Sequence, residues 1–176
     1  GYSPGPDNDI DFVTIASTGN ASDFGDMNYN AFDTCGASNQ TRGLFLGGSP
    51  NSSENGGVNS VDYVTIATTG NPVDFGDLFL NCMTATSGAN PVRAVVANGK
   101  NGSSHSNVIF RVNIATLGDS SDFGDQAISK QSAGGGSNSI RMVIGGGGTP
   151  TKISDIQTLL LATEGNSISF GDLGEI

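Results

Sequence analysis

Asp23-Phe24-Gly25-Asp26 returns as Asp74-Phe75-Gly76-Asp77 and as Asp122-Phe123-Gly124-Asp125, and in worn form as Ser169-Phe170-Gly171-Asp172. The phenylalanines stand at 24, 75, 123 and 170, so successive copies lie 51, 48 and 47 residues apart. A fixed period of this size marks a repeat architecture, in which each small unit buries its apolar face against the next.

Ahead of each copy lies a segment rich in β-branched and aromatic residues, at 10–16, 61–67, 109–115 and 156–162. Such segments predict strands. A turn separates each strand from its Phe-Gly-Asp: Thr18-Gly19-Asn20, Thr69-Gly70-Asn71, Leu117-Gly118-Asp119 and Glu164-Gly165-Asn166. Within the strand, Val13, Val64, Val112 and Leu159 share one position, and Ile15, Ile66, Ile114 and Leu161 another. The opposite face carries Ile10, Val61, Ile109 and Ile156, with Phe12 and Tyr63 beside them. A sheet apolar on both faces is sandwiched between two neighbours.

A second half-unit occurs three times. Its centre is an arginine 18 residues past the phenylalanine, at Arg42, Arg93 and Arg141, with Asn39, Asn90 and Asn138 three residues earlier. Each arginine opens a short apolar run ended by glycine. A small-residue stretch such as 35–38 precedes it and supplies one more strand. Loops at 49–57, 100–106 and 147–152 follow, rich in Gly, Ser and Asn.

The predicted fold is therefore all-β, with about 3.5 four-stranded repeats of 47–51 residues and no helix, since no apolar pattern of helical period persists. Residues 1–9 read as a linker or a cut end, loose or extended. Residues 10–176 form the repeat domain, as a half-unit at 10–27 and units at 28–78, 79–126 and 127–173.

Charge narrows the partners. Seven basic residues against 17 acidic ones give a net charge of −10 in 176 residues. Nucleic-acid binding needs a basic stripe to displace counterions, and an anionic membrane surface needs the same. No apolar run is long enough for a membrane-spanning helix. Cys35 and Cys82 are the only cysteines. They occupy different repeat positions and read as two small buried thiols rather than a disulfide.

The strand Leu44-Phe45-Leu46-Gly47-Gly48, with Met142-Val143-Ile144-Gly145-Gly146, resembles the strand and double glycine of kelch repeats. The following strand, 61–68, fits the same pattern. Phe24, Phe75, Phe123 and Phe170 stand where kelch repeats carry tryptophan, and Asn98-Gly99 replaces one double glycine. The resemblance implies a β-propeller segment, with a β-solenoid or β-prism as the alternative at this period. The wording Val64-Thr65-Ile66-Ala67-Thr68-Thr69-Gly70-Asn71, then Asp74-Phe75-Gly76-Asp77-Leu78, is similar to kelch-like repeats in structural and tail-fibre proteins of marine bacteriophages. That implies a virion or extracellular location and a non-enzymatic role in assembly, adhesion or glycan recognition. The implied partners are further copies of the chain or the remainder of a longer one, virion proteins, and a host surface glycan. A secreted bacterial carbohydrate-binding propeller is the alternative, and a glycan-active enzyme a third reading. No cofactor is implied.

The paired carboxylates invite acid/base chemistry or Ca²⁺ binding. Their repetition argues instead that each aspartate of Asp23/Asp26, Asp74/Asp77 and Asp122/Asp125 caps a turn or pairs with a repeat arginine, because an active site needs one constellation; Gly25, Gly76, Gly124, Gly171 and Asp172 read as structural repeat positions beside them. Arg42, Arg93 and Arg141 could grip an anionic sugar, but repetition again favours bridges within the scaffold. His105, among serines, reads as an exposed loop residue without an orienting acid. The glycine run 145–148 lacks the lysine of a phosphate loop. Asp62, on a less regular position, is expected to cost under about 1 kcal/mol on truncation. The variable loops suit sugar hydrogen bonding and plain solvation equally.

Overall fold

The computed structural model describes residues 7–50 and 56–174. They form strands and turns, with no helix. The first hairpin pairs β1 (Asp7–Phe12) with β2 (Ser22–Ala31). Three antiparallel four-stranded meanders follow. The first holds β3 (Cys35–Ser38), β4 (Arg42–Leu46), β5 (Val58–Thr65) and β6 (Val73–Cys82). The second holds β7 (Thr86–Ala89) and β8 (Arg93–Ala97), then, after a small hairpin of β9 (Lys100–Asn101) and β10 (Ser104–His105), β11 (Val108–Asn113) and β12 (Ser121–Asp125). The third holds β13 (Gly134–Ser137), β14 (Arg141–Gly145), β15 (Asp155–Leu160) and β16 (Ile168–Asp172). None of these sheets closes on itself.

The faces that read as doubly apolar are where the sheets meet. Leu44, Leu46, Val61 and Phe75 of the first meander pack on Ala94, Val96, Phe110, Val112 and Ile114 of the second. Val95, Ala97, Ile109 and Phe123 of the second pack on Met142, Ile144, Leu159 and Leu161 of the third. One strand thus feeds two cores through its alternating faces.

Several boundaries differ from the sequence reading. Residues 7–9 are strand rather than linker, since Asp7 pairs with Ala31 and Asp9 with Asp26, while 1–6 lie outside the described residues. The strand expected at 10–16 ends at Phe12. In the complete meanders this segment has a ladder on both sides, whereas β1 has only β2, so its last residues lack the second partner. β2 and β6 run on to Ala31 and Cys82, past the expected ends of the half-unit and first unit. The loop expected at 100–106 folds into the β9–β10 hairpin, which leaves His105 half-buried on a strand rather than exposed. Of the loop at 49–57, residues 51–55 lie outside the described residues.

Candidate functional site

The repeated Asp-Phe-Gly-Asp is a β-bulge. Gly25 faces Ile10 and Asp23 faces Asp11, so Phe24 is one residue too many for its partner strand. The same slip occurs opposite Val61 and Asp62, opposite Ile109 and Phe110, and opposite Ile156 and Gln157. The glycines that follow have φ of 150, 142, 149 and 151°, a region L-residues rarely adopt. A bulge re-aims the backbone beside it, and here it offers two main-chain groups to the next unit. The Gly70 N–H donates to the Phe24 carbonyl at 2.7 Å, and the Asp26 N–H donates to Asn71 Oδ1 at 3.0 Å.

This latch recurs at each junction. Gly118 N–H donates to the Phe75 carbonyl (2.9 Å) and Asp77 N–H to Asp119 Oδ1 (3.0 Å). Gly165 N–H donates to the Phe123 carbonyl (2.8 Å) and Asp125 N–H to Asn166 Oδ1 (3.0 Å). A third bond joins the later two junctions, from Ser120 N–H to the Asp77 carbonyl (2.7 Å) and from Ser167 N–H to that of Asp125 (2.9 Å). The first junction lacks it because Pro72 stands there without an N–H.

The second-half motif is also structural. Asn39 Oδ1 accepts from the Thr41 and Arg42 N–H groups, Asn90 Oδ1 from Val92 and Arg93, and Asn138 Oδ1 from Ile140 and Arg141. Each asparagine thereby fixes the hairpin that presents its arginine. Arg42 then reaches the Ile114 carbonyl in the next meander (2.8 Å) while lying over the Tyr63 ring, 4.8 Å from its centroid. Arg93 likewise donates to the Ala162 carbonyl at 3.4 Å. The sequence reading expected each arginine to bridge its strand to a loop or to a neighbouring aspartate. The structure supplies carbonyls, because the aspartates enter the junctions through their main-chain N–H. Arg141, in the last meander, is exposed.

Two polar clusters between units had no repeat signal. Lys130, fully buried, donates to Asp155 Oδ2 at 3.0 Å, and Gln157 Nε2 donates to the same oxygen at 2.6 Å. Lys130 stands at the repeat position of Cys82 and Ala31, so a single charge in an apolar column was the available clue. In the first junction, Asn28 Nδ2 donates to Asp62 Oδ1 (3.1 Å) and Ser60 Oγ to Asp62 Oδ2 (3.2 Å). Asp62 is buried, so its low expected weight is corrected: truncation would strand two donors, at about 1–3 kcal/mol. Burial raises the Asp62 carboxyl above its ordinary value, with the two donors pulling the other way and Asp74 adding to the rise. Burial, then the Asp62 charge, pushes the neighbouring Tyr29 hydroxyl up to about 12.

The sign of the pH effect follows. As pH climbs past the ordinary aspartate value, Asp62 ionises first in the unfolded chain, which favours unfolding until the folded group also ionises. Asp62→Asn removes that loss. Its stability relative to the native chain should rise from pH 3 to pH 7 in urea titrations, and a flat difference would refute the raised carboxyl.

Cys35 and Cys82 are free and buried, as expected of small core thiols. The adjacent Cys35 thiol, by hydrogen bonding, and then burial hold the Cys82 thiol well above its usual value, which leaves little thiolate to react.

Grooves at 63–73, 111–121 and 158–168 include the latch turns, and another lies at the loop 147–152. The loop 147–152 forms a groove of about 430 Å³, lined by Gln131, Ser132, Gly148, Lys152, Ile153 and Leu173. Glycine backbone, an amide and an ammonium beside two apolar side chains offer what a sugar ring binds: hydrogen-bond partners and an apolar patch. Among the described residues, no three His, Cys, Asp or Glu side chains gather as a metal site.

No family model and no curated protein matches the chain. The solved structure of YjhT aligns over 89% of this chain with a TM-score of 0.72 at 10% sequence identity. The chain spans 57% of that protein, so the likeness concerns the sheet arrangement of part of a larger fold.

Proposed function

We propose that this chain is an arc of a kelch-like β-propeller serving as a non-enzymatic structural and adhesion module, of the kind carried on a phage fibre or particle. The observation that carries the reading is the use of the repeated residues. The bulge phenylalanines, glycines and aspartates of the first three copies, the asparagines and two of the three arginines serve junctions or hairpins. Residues that recur to hold the scaffold together need no chemical role to explain their recurrence. The propeller assignment is supported by the face-to-face four-stranded meanders and by the likeness to a longer solved structure.

Recognition falls to the loops, which differ between units while the strands repeat. The proposed ligand is a surface glycan held in the 147–152 groove, with multiple copies on a particle turning weak single-site binding into avidity. The chain should bind members of an immobilised glycan panel, leave them uncleaved, and lose about tenfold affinity on Lys152→Ala or Gln131→Ala. Steady release of reducing ends, lost on changing one carboxylate, would overturn the reading in favour of an enzyme. Antibody labelling of purified particles tests the virion location against a secreted bacterial origin.

A further inference from the structure

We propose that a second copy of this chain docks head to tail on the first, its Thr18-Gly19-Asn20 turn closing on Phe170-Gly171-Asp172 by the same latch that joins the units inside the chain. The inference rests on the reading of the chain as a stack of repeat units used in multiple copies, and it names the contact between them.

The residues of a fourth latch are present in two halves, and among the described residues neither half makes the latch bonds. At one end, the Gly19 N–H, Asn20 Oδ1 and Ala21 N–H occupy the repeat positions of Gly70, Asn71 and Pro72, although Gly19 does not hold the φ of 136–151° found at Gly70, Gly118 and Gly165. At the other, Phe170, Gly171 and Asp172 form the same bulge with the same glycine φ, and Gly171 is open where Gly25, Gly76 and Gly124 each stand against the turn of the next unit. The three internal copies establish what such a pair does when it meets.

The apolar surfaces agree. Phe75 and Phe123 are each 3% exposed, while Phe170 at the same position is 61% exposed. On the opposite face Ile114 and Leu161 are fully buried, while Ile15 at their position is 98% exposed. Val143 and Val13 are exposed beside them. Each end therefore shows the face that the other end's counterpart covers inside the chain. Charge fits too: Arg141 stands where Arg42 and Arg93 reach a carbonyl of the next unit, and the first hairpin carries Asp7, Asp9, Asp11, Asp23 and Asp26. The latch bonds use only outer strands and the turn between them, which the β1–β2 hairpin possesses without its inner strands.

Sedimentation velocity of this 176-residue chain should show a mass that rises with concentration above 17.8 kDa. Ile15→Asp and Phe170→Asp alter exposed residues, so each should keep its far-UV spectrum and weaken association at least about tenfold. The contact is heterologous, so chains carrying Asn20→Cys and chains carrying Asp172→Cys should be joined by a short bis-maleimide when mixed, and not separately. The buried native thiols do not compete. A constant monomer mass, variants that associate as well as the parent, or equal cross-linking of each variant alone would overturn the proposal. A monomer that still binds glycan would defeat this contact and leave the adhesion role standing, whereas an assembly without glycan binding would do the reverse.

Discussion

Phe75→Ala should lower the unfolding free energy by about 3–5 kcal/mol, while Phe170→Ala, the same change at the same repeat position, should cost under about 1 kcal/mol in dilute solution. Phe75 lies between the first two meanders, 3% exposed, edge-on to Tyr63 with ring centroids 5.8 Å apart. Its loss removes apolar burial, opens a cavity between two sheets and deletes the aromatic pair. Phe170 has the same bulge beneath it but no sheet over it. The comparison separates the bulge itself from the interface it creates. Equilibrium urea denaturation of both variants measures it, and similar losses would mean that the phenylalanine ring matters within its own sheet rather than between sheets.

That contrast also marks what the sequence made legible. The bulge and the asparagine turn are local devices, each using a residue type with few other reasons to recur, so glycine at 25, 76, 124 and 171 and asparagine at 39, 90 and 138 announced the repeat directly. The double apolarity of the strands announced stacking for the same reason. What stayed hidden was non-local. The carbonyls of Ile114 and Ala162 carry no side-chain signature, so the arginines could be recognised as structural while the choice between loop and aspartate partners stayed open. Lys130 and Asp155 occur once, and a buried ion pair without a repeat leaves only an odd charge in an apolar column. Strand ends shifted where pairing partners, rather than propensity, decide how far a ladder runs, as at Phe12 and Cys82.

Gly124→Ala should be the other severe substitution, at about 2–6 kcal/mol, with Gly171→Ala near about 1–3 kcal/mol. At both sites the φ, 149 and 151°, strains any L-residue, so the two share one cost. Only at Gly124 is there a second. A Cβ there would sit 2.5 Å from the Gly165 carbonyl oxygen and 2.6 Å from its carbon, and backbone cannot swing aside as a side chain can. The second and third meanders would have to part, stretching the Gly165–Phe123 and Asp125–Asn166 bonds. At Gly171 nothing lies within 4 Å. Urea midpoints at low concentration give the difference, and equal values would refute the close approach of bulge and turn. Raising the concentration adds a further discriminating step: in a head-to-tail assembly Gly171 faces Gly19 of the neighbouring copy, so Gly171→Ala should then abolish association while Gly136→Ala, open and outside any latch, leaves it intact.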